Sequence, residues 1–553
     1  MENVSYWVFS IGQKGNTQKQ VAFSSRFADD KVNFEDDTCI IVADGVVLNK
    51  KELTDCTNGL REYYQRSLDN MSIIAGMTGP FNALVYNKNT CRGVTFGNQT
   101  GDSSVFYGYD KEQTLWISNN YNEVVKNCKL GGANFNSKAA HYLLTYGFYA
   151  DDETIVEGIN KVRAGEYLEF NPSGCEVKTY HRFNFHDKIT ISMDDAIEQL
   201  DTLFRNAVRR CFDKDLEYGY GSHLADLSAG LDSRMTNAVA KDLGYESIVN
   251  ISYSQSGSSE NKFTMSLSKM LGNPLYYRSL DDATFLYDID KMVNEEFGMA
   301  YYCGMTAARQ FLSLIDFSDV GLEHTGQLGD VVISTRGTNS SELNMDSCRN
   351  SSLLQLRYRP EGKLYQSQEE FDFYTRYFQG TLATHYVRSN YTYAVSPFID
   401  TDLLQFCASL PDEIRENHKL YWAWIDRKYP AYGKIPSSRL RMYNGMSLGE
   451  KCSMYSKRIA GRLKRDAYRI AKKLGLSETG TSPDNMNPHT YWYETMSKLR
   501  TFVNNFYDDN ICLLEKDSKL YSEAHKMFQS KNALDKLMVI SLLATIKHYC
   551  SVN

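Results

Sequence analysis

Short apolar runs set between Gly, Asn and Asp clusters open the chain: "YWVFSI", "CIIVADGVVL", "FNALVYN", "TLWISNN" and "EYLEFN". Such runs bounded by turn residues predict strands. Residues 1–190 therefore read as mostly β, with helices predicted over Lys51–Leu68 and Ser137–Tyr146. The period changes after Ile189. Ile197, Leu200, Phe204 and Val208 recur at helical spacing, and Ser192 with Asp195 forms an S-x-x-D start signal. A domain boundary is placed there, giving 1–190 and 191–445 as the first two units.

From Tyr218 the pattern alternates. "HLADL" reads as a strand. "SRMTNAVAKDL" reads as a helix with Met235, Ala238, Val239 and Leu243 on one face and Gly244 at its end. "SIVNISYS" is the next strand. "SENKFTMSLSKML" is a helix with Phe263, Leu267, Met270 and Leu271 inward, closed by Gly272, and "PLYYRSL" is a third strand. This βαβαβ succession predicts a parallel sheet covered by helices. A further strand near Asp319–Glu323 leads into "HTGQLGD". Residues 446–553 read as a helical C-terminal extension. Within it, Lys451–Lys473 carries nine Lys or Arg against Asp466 alone, with Ile459, Leu463, Ala467 and Ile470 as an apolar stripe. Such a helix can lie on a membrane surface or bind an acidic partner. Packing against its own domain is the expectation for an ordinary amphipathic helix.

Composition narrows the class. The 553 residues are too many for one core. With 10 prolines and no low-complexity tract, long disordered linkers are not expected. A net charge of -7 argues against nucleic acid as the main partner. The 12 cysteines include no C-x-x-C pair, so no structural zinc site is expected. No signal peptide is recognised and no apolar run is long enough to span a membrane, so the expectation is a cytoplasmic protein with reduced thiols. A homodimer is an allowed assembly.

The chemistry concentrates in "DLSAGLDSRM" (Asp226–Met235), between a predicted strand and a predicted helix. Loops at the carboxyl ends of strands form ligand crevices in open α/β sheets. A helix N-terminus favours anions. Gly230 permits a turn that a Cβ would obstruct, and Ser228 and Ser233 add hydroxyl donors. Asp232 beside a phosphate makes sense with Mg²⁺ between them. The plainer alternative is that Ser228 or Asp232 only caps the helix, with Gly230 in a turn. The loop is neither a Walker A sequence nor a dinucleotide fingerprint.

"SAGLDS" resembles the S-G-G-x-D-S pyrophosphate loop of the asparagine synthetase superfamily, whose members cleave ATP to AMP and pyrophosphate. "HTGQLGD" (His324–Asp330) is similar to that family's S-G-x-G-[SA]-D segment. "YAVSPFIDTDLLQFCASLP" (Tyr393–Pro411) resembles its R-x-P-F-L-D stretch, and "VADGVVLNKKEL" (Val42–Leu53) resembles part of its glutaminase domain. The resemblance covers about residues 1–445. It implies an α/β protein with a degenerate glutaminase-like αββα sandwich of the N-terminal-nucleophile type, then an ATP-pyrophosphatase parallel-sheet domain. It implies Asp232 and Asp330 as Mg²⁺ ligands. Ser228, Gly230, Ser233 and loop N–H groups would bind the pyrophosphate, with charge from Arg234. Leu227, the backbone around Ile251–Tyr253, Thr325 and Gly326 would line the adenosine.

The chain departs from the family pattern in both halves. It begins "MENVSYW", so Glu2 stands where the nucleophilic Cys is expected, and the next cysteine is Cys39. "GVTFGNQTGDSSVFYG" (Gly93–Gly108) replaces the arginine-rich glutamine-binding segment. Glutaminase activity is therefore not expected. Gln327 stands where the family has Glu, and Val331 replaces the following acidic residue. The family's catalytic lysine has Lys434, Arg439 and Arg441 as candidate replacements. The expected function is an ATP-dependent ligase that adenylates a carboxylate and passes it to an amine or ammonia, with ATP and Mg²⁺ as cofactors. A non-catalytic nucleotide-binding scaffold or sensor is the alternative from another class. Ammonia-dependent asparagine synthesis is a narrower version of the first.

Overall fold

The computed structural model describes residues 4–551 except 54–58, 131–133, 305, 336–342, 350–352, 355–356, 360–364, 436–447 and 475–479. Eleven described strands precede residue 180. They are β1 (Tyr6–Ile11), β2 (Thr17–Ala22), β3 (Val32–Glu35), β4 (Cys39–Gly45), β5 (Phe81–Asn87), β6 (Arg92–Gly97), β7 (Phe106–Tyr109), β8 (Leu115–Ser118), β9 (Ile159–Lys161), β10 (Glu166–Asn171) and β11 (Gly174–Thr179). They form two antiparallel sheets, ordered β2-β1-β8-β7-β9 and β11-β10-β6-β5-β4-β3.

The continuous apolar runs reflect burial of both strand faces. Side chains alternate along a strand, so Ile40 and Val42 of β4, with Leu84 and Tyr86 of β5, meet Trp7 and Phe9 of β1 between the sheets. Ile41, Ala43 and Val85 point the other way, onto Leu60 and Tyr64 of a short outer helix. On the far side, β7 and β8 pack on the helix Tyr121–Cys128, which shares a core with the helix Ser137–Tyr146. The order is helix, sheet, sheet, helix. The single helix expected over Lys51–Leu68 is instead two short ones, Lys50–Leu53 and Leu60–Arg66, with 54–58 outside the described residues.

The second half holds a parallel sheet of β12 (Ser222–Asp226), β13 (Ile248–Ser254), β14 (Leu275–Ser279), β15 (Val320–His324) and β16 (Ala394–Val395). The order is β14-β13-β12-β15-β16. The helix Met193–Glu217 begins where Ser192 accepts the Asp195 N–H at 3.1 Å, and it buries Ile197, Leu200, Phe204 and Val208. The helix Ser259–Leu271 ends at Gly272, whose φ of 70° suits glycine. Its inner face is Glu260, Thr264, Leu267, Ser268 and Leu271. Met270 is exposed and Phe263 half-buried, contrary to expectation, because both fall on the margin of that arc. Lys214, fully buried, reaches Asp30 at 2.7 Å and ties the two halves together.

The C-terminal helices do not all stand apart. Ala533–Cys550 carries no charged residue between Leu537 and Ile546, and every residue of that stretch is buried. It shares one core with Tyr121–Cys128, Ser137–Tyr146 and Ile289–Glu295. The helix Leu448–Lys473 differs. Ile459, Leu463 and Ile470 are exposed, so the expected packing of this stripe against its own domain is not observed. No described helix is long and apolar enough to cross a membrane. The ten described cysteines are free.

Burial lowers His181 and His489 to about 4. A histidine depressed in the folded state binds its proton more tightly when unfolded, so stability rises with pH between the two values. Acidification from about pH 6.5 toward 4 is therefore expected to lower the thermal midpoint progressively, as melts at pH 7, 6 and 5 will show.

Candidate functional site

The chain runs β12, β13, β14 toward one edge of the parallel sheet, then returns to place β15 and β16 on the other side of β12. The gap between the carboxyl ends of β12 and β15 is thus the point where strand order reverses, where open α/β sheets form ligand crevices. Both candidate segments emerge there. Leu227–Leu231 follows β12, and Thr325–Leu328 follows β15.

The two segments touch through glycine. A Cβ on Gly326 would lie 2.2 Å from the Ser233 backbone nitrogen, and one on Gly329 would lie 2.7 Å from Cγ of Asp232. Only glycine admits that approach. Leu328 adopts the left-handed conformation, φ 68°, to turn the chain into the helix Gly329–Ile333 that carries Asp330. Tyr421 donates to Oδ1 of Asp232 at 2.9 Å. Burial raises its phenol, and the charges of Asp232 and Asp330 raise it further, so both carboxylates lie within its electrostatic reach.

The loop itself is internally bonded. Ser228 and Ser233 share a hydroxyl–hydroxyl bond of 2.9 Å, and the Ser228 N–H donates to Oγ of Ser233 at the same distance. The Gly230 N–H donates to Oγ of Ser228. Gly230 does not have positive φ, and its added Cβ would meet only Oγ of Ser228 at 3.1 Å. The steric need expected of Gly230 belongs to Gly326 and Gly329 instead. The helix Asp232–Asp242 starts with no side-chain cap bond, so Ser228 and Asp232 are not acting as its N-cap.

Other expected residues are placed differently from a bare pyrophosphate cradle. Arg234 is fully buried and donates to the carbonyls of Ala229, Tyr432 and Ile435 at 2.8–3.0 Å. Burial lowers it to about 10. Its guanidinium clamps the 432–435 backbone to the loop, which accounts for its charge without a phosphate. Lys434 lies inside that clamped stretch and is exposed. Arg439 and Arg441 lie outside the described residues. Leu227 is buried against Leu267 and Leu271, so its side chain faces the core rather than a ligand. Thr325 is buried and bonds the Val395 carbonyl through both its N–H and its hydroxyl. Tyr253 is half-buried at the end of β13, its phenol raised by burial. Gln327 donates to Thr384 at 2.7 Å, and its amide oxygen lies 2.5 Å from Nε2 of His385. His385 in turn meets Asp102 at 2.9 Å. Gln327 therefore links the site to the first half of the chain.

Two features had no clear sequence signal. Glu260, at the start of the next helix, accepts the Ala229 N–H at 2.5 Å, and burial raises its carboxyl. Arg388 joins Glu323 of β15 to Asp226 of β12, 3.2 Å from the latter, beneath the crevice. Burial pushes Glu323 up to about 8, with Arg388 opposing that shift. A lone acidic residue at a strand end is visible in sequence, but its partner, some 65 residues on, is not.

Between the two halves, a cavity of about 590 Å³ is lined by Ser5, Asp44, Asn82, Asp102 and Asn119 from the first and by His385 and Tyr393 among others from the second, and no described lining residue is a cysteine. Lys31 donates to Oγ of Ser5 at 2.7 Å and to both oxygens of Ser24, and it lies 3.7 Å from Asp44. Cys39, in contrast, is buried in β4.

No known family profile matches the chain. Among curated proteins, it is 24% identical over 232 residues to asparagine synthetase [glutamine-hydrolyzing] 2 of Bacillus subtilis (strain 168). That match covers 36% of this chain and 28% of the relative, so the chain aligns with under a third of that protein's length. Two solved structures align over half of the chain at 8% identity. One is a glutamine phosphoribosylpyrophosphate amidotransferase from B. subtilis complexed with ADP and GMP (TM-score 0.21, 76% of that chain). The other is described as the allosteric regulatory enzyme of purine biosynthesis (TM-score 0.22, 75% of that chain). At those scores neither guides the reading. The chain thus has a distant, partial similarity to asparagine synthetase.

Proposed function

We propose that this protein is an ATP-dependent carbon–nitrogen ligase that adenylates a carboxylate, releases pyrophosphate, and passes the acyl group to an amine or ammonia. The observation that carries this reading is the meeting of "SAGLDS" and "TGQLGD" at the strand-order reversal, with Gly326 and Gly329 pressed against the start of the Asp232 helix. The distant similarity to asparagine synthetase supports the same class.

Mg²⁺ fits the donor set, since Asp232 and Asp330 are carboxylates near one phenol and hard oxygen ligands suit that ion. When bound, it would neutralise charge on a triphosphate. The uncapped helix N-terminus and the hydroxyls of Ser228 and Ser233 would hold the pyrophosphate. The substrate carboxylate then attacks the α-phosphorus, the α–β bridging bond breaks, and pyrophosphate leaves. An amine nitrogen next attacks the acyl carbon and AMP departs. The chain's task is positioning and electrostatics rather than nucleophilic attack. Arg234 is a positioning residue for the 432–435 backbone, and Lys434 is the described cation on that backbone. Gln327, bonded to Thr384 and His385, is read as a link between halves rather than a catalytic group.

The test is pyrophosphate release from Mg-ATP, screened over carboxylic acids with ammonium, amines and glutamine as nitrogen donors. Release that requires one acid and one nitrogen donor supports the proposal. Aspartate with ammonium as the productive pair would identify asparagine synthesis. Stoichiometric ATP binding with no AMP from any acid would replace it with the scaffold or sensor reading. Glu260 favours that second reading, because a carboxylate occupies a loop N–H that a phosphate could use. Glu260→Gln keeps an acceptor for Ala229 but removes a negative charge. On either reading it is expected to tighten Mg-ATP binding several-fold, measured by calorimetry.

A further inference from the structure

The helix Leu448–Lys473 is 26 residues long, about 39 Å at 1.5 Å per residue. Its apolar side chains face outward. Tyr455 is 49% exposed, Ile459 60%, Leu463 64% and Ile470 56%, and Leu474 just beyond the helix is 67% exposed. Isolated exposed apolar residues are ordinary on a protein surface, but a contiguous stripe marks an interaction site.

The stripe is ordered. At about 100° per residue, Tyr455, Ile459, Leu463, Ala467, Ile470 and Leu474 fall within an arc of about 120°. Of the nine Lys and Arg between Lys451 and Lys473, the same period puts eight outside that arc and Lys473 at its edge. Asp466, the one acidic residue of the stretch, falls within the arc near its Tyr455 edge, where Arg469, 3.5 Å away, offsets its charge. The helix is held to the rest of the protein near its C-terminal end, where Lys472 reaches Glu494 at 2.5 Å.

Charge decides the partner. The stretch carries +8 in a chain whose net charge is -7, so the remainder carries -15. Two copies of this helix would bring like charges together, whereas an anionic bilayer pairs with the cations and accepts the apolar arc without a shaped groove. We propose that Leu448–Lys473 lies in the plane of an anionic membrane surface, its apolar arc sunk into the headgroup boundary and its cations level with the lipid phosphates. The acidic remainder is repelled by the same surface, which fixes the protein's orientation above it. The proposal rests on this helix alone and is independent of the ligase reading.

The test uses the full-length protein and flotation with vesicles of phosphatidylcholine alone or with about one third phosphatidylglycerol. Flotation with the anionic vesicles only, reduced by raising salt, is expected. Leu463→Glu should cut the bound fraction at least tenfold, and Arg462→Gln combined with Arg469→Gln several-fold, both with unchanged circular dichroism and thermal midpoint. No flotation of the folded protein would overturn the proposal. So would equal flotation with neutral vesicles, or light scattering that shows a dimer dissolved by Leu463→Glu without any lipid binding.

Discussion

Asp232→Ala is expected to lower pyrophosphate release at least 10²–10³-fold while leaving the fold intact. Asp232 is half-buried at the first turn of its helix, and its Oδ1 accepts from Tyr421 at 2.9 Å. Losing an acidic group at a helix start costs on the order of 0.5–1 kcal/mol, too little to unfold the sheet beneath it. The loss of a metal-binding carboxylate at a triphosphate is far larger, because every charge it offsets is then uncompensated in a partly dry crevice. Tyr421→Phe is the control, since it removes only the hydrogen bond and is expected to cost a few-fold. Mg-ATP affinity, followed by calorimetry, should fall with the aspartate and hold with the phenylalanine. If Asp232→Ala binds Mg-ATP as tightly as the parent, the loop assignment is wrong.

Arg388→Met is expected to be the most destabilising single change near the site. Arg388 and Glu323 are buried, and Arg388 also reaches Asp226 at 3.2 Å. Removing the cation takes the shared donor away from Asp226 and from Glu323, whose carboxyl burial already holds up at about 8. Breaking a buried pair in this way costs about 3–5 kcal/mol. In a protein of 553 residues that unfolds as one unit, this corresponds to a fall of roughly 3–4 °C in the apparent midpoint. Adding Glu323→Gln should recover part of the loss, since the amide can donate to the neighbouring Asp226 carboxylate in place of the lost guanidinium. A calorimetric scan of the single and double variants measures this coupling. If both are as stable as the parent, the triad contributes nothing.

Local sequence signals carried much of the architecture because they record local physics. The helix Ser137–Tyr146 matches its expected bounds, since its pattern and flanking Asn and Gly coincide with its caps. The β12 loop was legible for the same reason: strand, turn and helix succeed one another within a few residues. The break in Lys51–Leu68 was not, because its apolar spacing does not show where the chain leaves the helix. Met270 was misplaced because helical period gives an arc, and only the neighbours decide where that arc is centred.

The sequence by itself determined the strand runs, the alternation that demands a covered parallel sheet, and the residue types in "SAGLDS" and "TGQLGD". Each follows from interactions between residues near in the chain. Only the tertiary structure decided that these two segments meet, about 90 residues apart, because strand order is set by which faces bury together. It also turned Arg234 from a candidate phosphate ligand into a backbone clamp, since a buried guanidinium must spend its donors on whatever carbonyls surround it. It tied Gln327 to Asp102 through His385. And it left the stripe of the basic helix uncovered, because an amphipathic pattern states that a face should be buried and not what will bury it.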